Sequence, residues 1–155
     1  MKRLLMLYHS LPERLSPLAL LALRCGLAVP FLRSGLTKWD SFGRLSDSTI
    51  YLFTEEFRLH LFGALVPYPA PALLAHLSGI AEVTLPVLLV LGLGTRIAAA
   101  ALLAMTLIIQ LTVPDGWANF HLPWAAMALA LLSFGAGPWS IDGVLRTTLR
   151  SGPVR

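Results

Sequence analysis

Four long apolar stretches, broken by short polar punctuation and one long mixed segment, dominate the chain. Crossing a bilayer as a helix takes about 20 apolar residues. The first candidate span covers residues 16–39 and opens on Ser16–Pro17, which suit an N-cap and a first helical position. The second covers 71–93, the third 95–113, and the fourth and shortest 119–135. "GLGTR" joins the second and third. Gly92 and Gly94 can take the left-handed backbone that ends a helix, and Thr95 can cap the next. "PDGWA" makes a tight turn between the third and fourth.

The long link, residues 40–70, has its own pattern. "SDSTIYLFTEEFRLHLF" starts at Ser46/Asp47 and carries Ile50, Phe53, Phe57 and Leu61 at helical spacing, with Glu55, Glu56 and Arg58 elsewhere around the helix. It predicts a short amphipathic helix at the membrane interface, followed by a Pro67–Pro69–Pro71 rod. After the fourth span Gly135, Gly137 and Pro138 stop the helix. Ser140 can cap a final one, with Asp142 near its positive end and Arg146 and Arg150 on later turns. The predicted fold is all-α: one domain, 1–155, built as a four-helix transmembrane bundle. It carries an amphipathic helix in its outer loop (40–70) and an inner tail (136–155).

Composition fixes the class. The chain is 56% hydrophobic and 13% charged, against about 45–50% and about 25% in soluble domains. The net charge of +4 gathers on one side. With the N-terminus inside, the inner face holds Lys2, Arg3, Arg14, Arg96, Arg146, Arg150 and Arg155, and the outer holds Arg44 and Arg58, with Lys38 at the boundary. Positive residues collect on cytoplasmic loops, so both termini are expected inside, and the basic charge needs no nucleic acid partner. Residues 1–14 read as a retained, basic, interfacial lead-in, because their apolar run is too short for a signal peptide.

Polar residues inside the spans raise the chemical question, since an ionisable group at membrane depth normally faces a partner or a cavity. A rise of about 1.5 Å per residue puts Arg33, Lys38, His76, Glu82, Gln110 and His121 at compatible depths in the outer half. They are the candidate ligand-binding residues. Glu82 is the only acid within a span, and Arg24 and Arg33 straddle its level. A buried ion pair of Glu82 with Arg33, or a triad including Arg24, is therefore expected. Arg24 and Lys38 can alternatively snorkel to the two surfaces. Such a pair can be purely structural or can bind something. His76 and His121 read as interfacial hydrogen-bonding residues, and no His or Cys spacing suggests a metal site. A lone Cys25 argues against thiol–disulfide transfer, which needs a pair. The G-x-G of "GLGTR" lacks the strand and further glycine of a nucleotide loop. Trp39, Trp117, Trp124 and Trp139 read as interface anchors, and "IAAAALLA" as a close-packing helix face.

The order of "LRCGLAVPFLRSGLTKW", "GIAEVTLPVLLVLGLGTRIAAAAL", "NFHLPW" and "GAGPWSIDG" resembles the DoxX family of small four-helix bacterial membrane proteins, over roughly residues 18–145. By position Glu82 matches that family's helix-two acid and Arg33 its helix-one basic site, while Ser140 and Asp142 match its terminal motif. The resemblance implies a bacterial inner membrane location. The name-giving relatives are associated with a thiosulfate:quinone oxidoreductase, and others with oxidative-stress complexes or metal-stress peptides. The implied function is a redox-accessory subunit that binds a quinone-like or other small ligand, not a self-contained enzyme. The alternative is a non-catalytic partner or transport helper in sulfur, oxidative or metal stress. It would dock other membrane or periplasmic proteins through the 40–70 loop.

Overall fold

The structure is a computed structural model that describes the backbone of residues 2–150 and the side chains of residues 15–149. The chain runs α1 (Lys2–Thr37), β1 (Trp39–Ser41), β2 (Arg44–Leu45), α2 (Asp47–Tyr51), β3 (Arg58–Leu61), β4 (Ala64–Pro67), α3 (Pro71–Leu91), α4 (Thr95–Thr112), α5 (Leu122–Phe134) and α6 (Ile141–Arg150). α2 continues as a π-helical turn, Leu52–Glu56, and a second such turn, Trp117–His121, precedes α5.

Among the described residues, three helices are long and apolar enough to cross a membrane: Leu15–Thr37 of α1, α3 and α4. α5 has 13 residues, roughly 20 Å at about 1.5 Å each, and begins three residues later than the sequence suggests. Asn119–His121 belong instead to the π-helical turn. The first helix does not begin at Ser16: helical backbone runs back to Lys2, with Pro17 inside it. A Ser–Pro pair permits a start without imposing one. The side chains of the expected interfacial lead-in, 1–14, lie outside the described residues. The first helix also stops at Thr37, so Trp39 enters a strand.

One core joins α1, α3, α4 and α5. Leu27, Ala28 and Phe31 meet Leu89, Ala98, Ala99, Leu102, Ala128 and Leu131, all buried. Ala98 and Ala99 bear out the close-packing face: without longer side chains the helix backbones can approach. The α1–α3 crossing is also tight. A Cβ on Gly35 would lie 2.8 Å from the Glu82 backbone, and one on Gly79 would lie 2.7 Å from the Trp39 ring.

The loop end departs from the all-α expectation. Ser46 caps α2, its Oγ accepting from the Thr49 N–H at 3.2 Å, but the helical backbone ends at Glu56. Phe57 turns extended and Arg58–Leu61 pairs with Ala64–Pro67 as an antiparallel hairpin. Phe62 and Gly63, at φ 50° and 86°, form the two-residue turn with both central residues at positive φ that matches strand twist. A smaller hairpin, β1–β2, turns at Gly43. A second cluster, Leu45, Phe53 and Ala75 with Trp39, Phe57 and Tyr68, seals this cap onto α3.

The turn end is knit by hydrogen bonds. Gly92 and Gly94 take left-handed backbone, as the "GLG" turn requires. Asp142 then reaches across, accepting from the Gly94 N–H at 2.8 Å and the Thr95 N–H at 2.9 Å. From the first turn of α6 it thus caps α4. Ser140 caps α6 as expected, accepting from the Gly143 N–H at 2.9 Å.

Candidate functional site

α1 carries its chemistry on one stripe. Arg24, Leu27, Phe31, Gly35 and Lys38 recur at three- and four-residue spacing and so share a helix face; all are buried or half-buried. Arg33 lies off the stripe, exposed, and makes no hydrogen bond or ion pair among the described residues. The expected Arg33–Glu82 pair is therefore corrected. Lys38 holds that place, with Nζ 2.6 Å from Glu82 Oε2, and the pair is 14% and 5% exposed.

A small polar network surrounds this pair. Lys38 Nζ also donates to Ser34 Oγ at 3.0 Å. Ser78, one turn before Glu82 on α3, donates to Glu82 Oε1 at 2.7 Å. Both carboxylate oxygens are thus engaged, one by an ammonium and one by a hydroxyl.

Arg24 does not join Glu82, nor does it snorkel. It is fully buried at the opposite end of α3, where its guanidinium donates to the carbonyls of Val90 at 3.0 Å, Leu89 at 3.4 Å, and Trp139. The last carbonyls of a helix lack intrahelical partners and form the negative end of its dipole. Helix end and turn together serve as the counter-charge. A Cβ on Gly92 would lie 2.5 Å from Arg24 Nη1, so the glycine also makes room for the guanidinium. The segments "GLGTR" and "GAGPWSID" are thereby joined through Arg24 and Asp142, as one structural clasp.

The Lys38–Glu82 network opens into a cavity of about 570 Å³, within the size range of small-molecule sites, roughly 300–1,000 Å³. Its walls are mostly apolar. α1 contributes Phe31, α3 contributes Leu77 and Ala81, α4 contributes Met105, Ile108 and Ile109, and α5 contributes Trp124. Phe53, Phe57, Leu59 and Tyr68 of the loop-end cap roof it. The roof is tied down at two points. His60 Nδ1 lies 3.1 Å from the Leu111 carbonyl, and the Tyr68 hydroxyl meets Thr112 Oγ1. Thr112 already donates to Ile108 O at 2.9 Å, so Tyr68 is the donor.

Of the six expected ligand-binding residues, the cavity brings together only Lys38 and Glu82. His76 is exposed, with Nδ1 2.8 Å from the Ala72 carbonyl and its ring edge-on to Trp39. Gln110 and His121 bond each other, Oε1 to Nδ1 at 2.6 Å. His121 is buried behind the wall, its ring 5.4 Å from that of Trp124. Trp39 and Trp124 are half-buried packing residues, not free anchors, while Trp117 and Trp139 are exposed. Ser34, Ser78, Tyr68 and the roof phenylalanines were not anticipated. The signal for the serines was present: Ser34 precedes Lys38, and Ser78 precedes Glu82, by one helical turn. No group of three or more His, Cys, Asp or Glu that could hold a metal occurs among the described residues.

These features define a class: a small helical membrane protein with a mostly apolar cavity at one end, roofed by a capping loop and polarised by the Lys38–Glu82 ion pair. A family model described as DoxX matches residues 19–115, more than half of the chain, and the protein belongs to the DoxX family. Among curated proteins and among solved structures, nothing matches it.

Proposed function

We propose that this protein is a membrane redox-accessory subunit whose loop-end cavity binds a quinone-like ring. One observation carries the reading: a mostly apolar cavity has a lysine, a carboxylate and two serine hydroxyls on a single patch of wall. A ring with carbonyl oxygens needs an apolar slot and a few convergent donors, and this wall supplies both. Lys38 Nζ would donate to a carbonyl oxygen. Glu82, released from part of its present hydrogen bonding, would accept or relay a proton. A bound quinone supplies the electron-accepting chemistry, and electrons would come from a partner chain. In the same reading α5 completes a fourth crossing, both termini lie on the cytoplasmic side of a bacterial inner membrane, and the capping loop faces outward.

The test is mass spectrometry and absorbance of what co-purifies in mild detergent. The wild type should carry a quinone, and Glu82→Gln should lose it while keeping its helical circular dichroism. Equal loading of both proteins, or none in either, would reject the reading.

A second reading, a docking subunit without redox function, rests on the hairpin tips. Phe42 and Phe62 are fully exposed at the two turns, where a partner surface could cover them. Phe42→Ser/Phe62→Ser should then abolish the cellular phenotype without changing ligand content.

A further inference from the structure

The cavity has a side as well as a roof. At the turn end α3 and α4 pack directly, with Leu89 against Ala98, Ala99 and Leu102 in the shared core. At the loop end the same two helices turn their facing residues to the cavity instead of to each other: Leu77, Ala81 and Glu82 from α3, Met105, Ile108 and Ile109 from α4. Leu77 and Ile108 line the cavity and yet are 53% and 50% exposed. Here a single layer of side chains separates the cavity from the outer surface of α3 and α4. That surface is apolar: Leu73 and Ile80 on α3 and Leu107 on α4 are each more than half exposed. Both helices are apolar enough to cross a membrane, so a gap between Leu77 and Ile108 faces hydrocarbon and not water.

We infer that the cavity is entered sideways from the bilayer, between Leu77 and Ile108, and that its ligand is an amphiphile whose apolar tail stays in this gap. The inference rests on the cavity being a binding site for a quinone-like ring, as proposed above. Three observations fit together. The hydrogen-bonding groups, Lys38 and Glu82 with Ser34 and Ser78, lie on the α1 and α3 walls. The roof is latched to α4 through His60 and Tyr68, which holds the cap over the loop end of the cavity. The volume of about 570 Å³ holds a ring and a short stem, so a longer tail must leave, and the lipid-facing gap is where it can. The ring oxygens would then meet Lys38 while the tail passes between Leu77 and Ile108. No bond is made or broken in this step.

The experiment compares two probes on the purified full-length chain by quenching of tryptophan fluorescence: unsubstituted benzoquinone and decyl-substituted benzoquinone. In the wild type the decyl probe should bind about tenfold tighter. In Leu77→Phe/Ile108→Phe, which narrows the gap, the decyl probe should lose this advantage, so that the ratio of the two affinities falls to about one. Retained tailless binding reports that the variant is folded. Equal binding of the two probes in the wild type, or a proportional loss of both in the variant, overturns the lateral route and leaves the ring site standing. Binding of neither probe overturns the ring site as well. An independent readout uses a photoreactive group on the decyl tail with the wild type alone. Label on α3 and α4 near Leu77 and Ile108 supports the route, and label on the 58–67 hairpin overturns it.

Discussion

Lys38 and Glu82 form a 2.6 Å ion pair between the end of α1 and the middle of α3, and each is largely removed from solvent. The pair sits beside a close approach of those helices, where Gly35 leaves no room for a Cβ against the Glu82 backbone. Packing thus sets the position of the carboxylate, and Lys38 makes that position tolerable. A buried pair gains little over an apolar replacement, but breaking it leaves an uncompensated charge.

Lys38→Met alone, or Glu82→Leu alone, should lower stability by about 3 kcal/mol, and the double variant should recover most of that loss. Thermal unfolding in detergent, run as a double-mutant cycle, measures the coupling. Additive losses would mean the two groups do not depend on each other.

Gly35→Ala should destabilise by about 1–3 kcal/mol, because backbone atoms and not a flexible side-chain tip receive the added methyl. It should also weaken ligand binding by shifting Glu82. The same unfolding experiment and a binding titration check both effects.

Arg24→Met should cost about 1–3 kcal/mol by leaving the carbonyls of Val90 and Trp139 without their donor. Its distinctive signature is local. The segment after Phe134 should become sensitive to protease at concentrations that spare the wild type, while ligand binding at the far end persists.

Asp142 gives a pH dependence. Burial, the largest influence, pushes its carboxyl upward, but the Thr95 and Gly94 amides and the Arg146 charge outweigh it and hold the group below its ordinary value. A depressed folded pKa means that the unfolded chain takes up the proton first as pH falls. The clasp therefore contributes fully above the ordinary carboxylate range and is lost as pH drops through the lower folded value. Asp142→Asn, which loses the charge and one of the two acceptor oxygens, should be less stable than wild type at neutral pH by about 1 kcal/mol. The difference should shrink in acid. A constant difference across that range would contradict the assignment.

How far the sequence could be read follows from what each signal is made of. The three long spans, the "GLG" turn and the Ser46 and Ser140 caps rest on local rules of length, backbone freedom and capping, and they were legible. The apolar spacing of Ile50, Phe53, Phe57 and Leu61 misled because it satisfies a helix, while Phe62–Gly63 supplies a hairpin turn that overrides it beyond Glu56. Depth places Arg33 near Glu82 and lets Lys38 snorkel outward, yet the i, i+3, i+4 stripe through Leu27, Phe31 and Gly35 ends on Lys38. Face, not depth, decides which side chain reaches a neighbouring helix. Asp142 capping α4 and Arg24 closing α3 join residues far apart in the chain, which no local pattern announces. The cavity is space left between facing helices and leaves no trace in any one of them.

The most direct test of the account is a titration of benzoquinone into wild type, Glu82→Gln and Arg33→Gln, read by tryptophan quenching. The account predicts that Glu82→Gln loses binding by at least about tenfold and that Arg33→Gln binds like the wild type. Loss in Arg33→Gln with binding preserved in Glu82→Gln would contradict it.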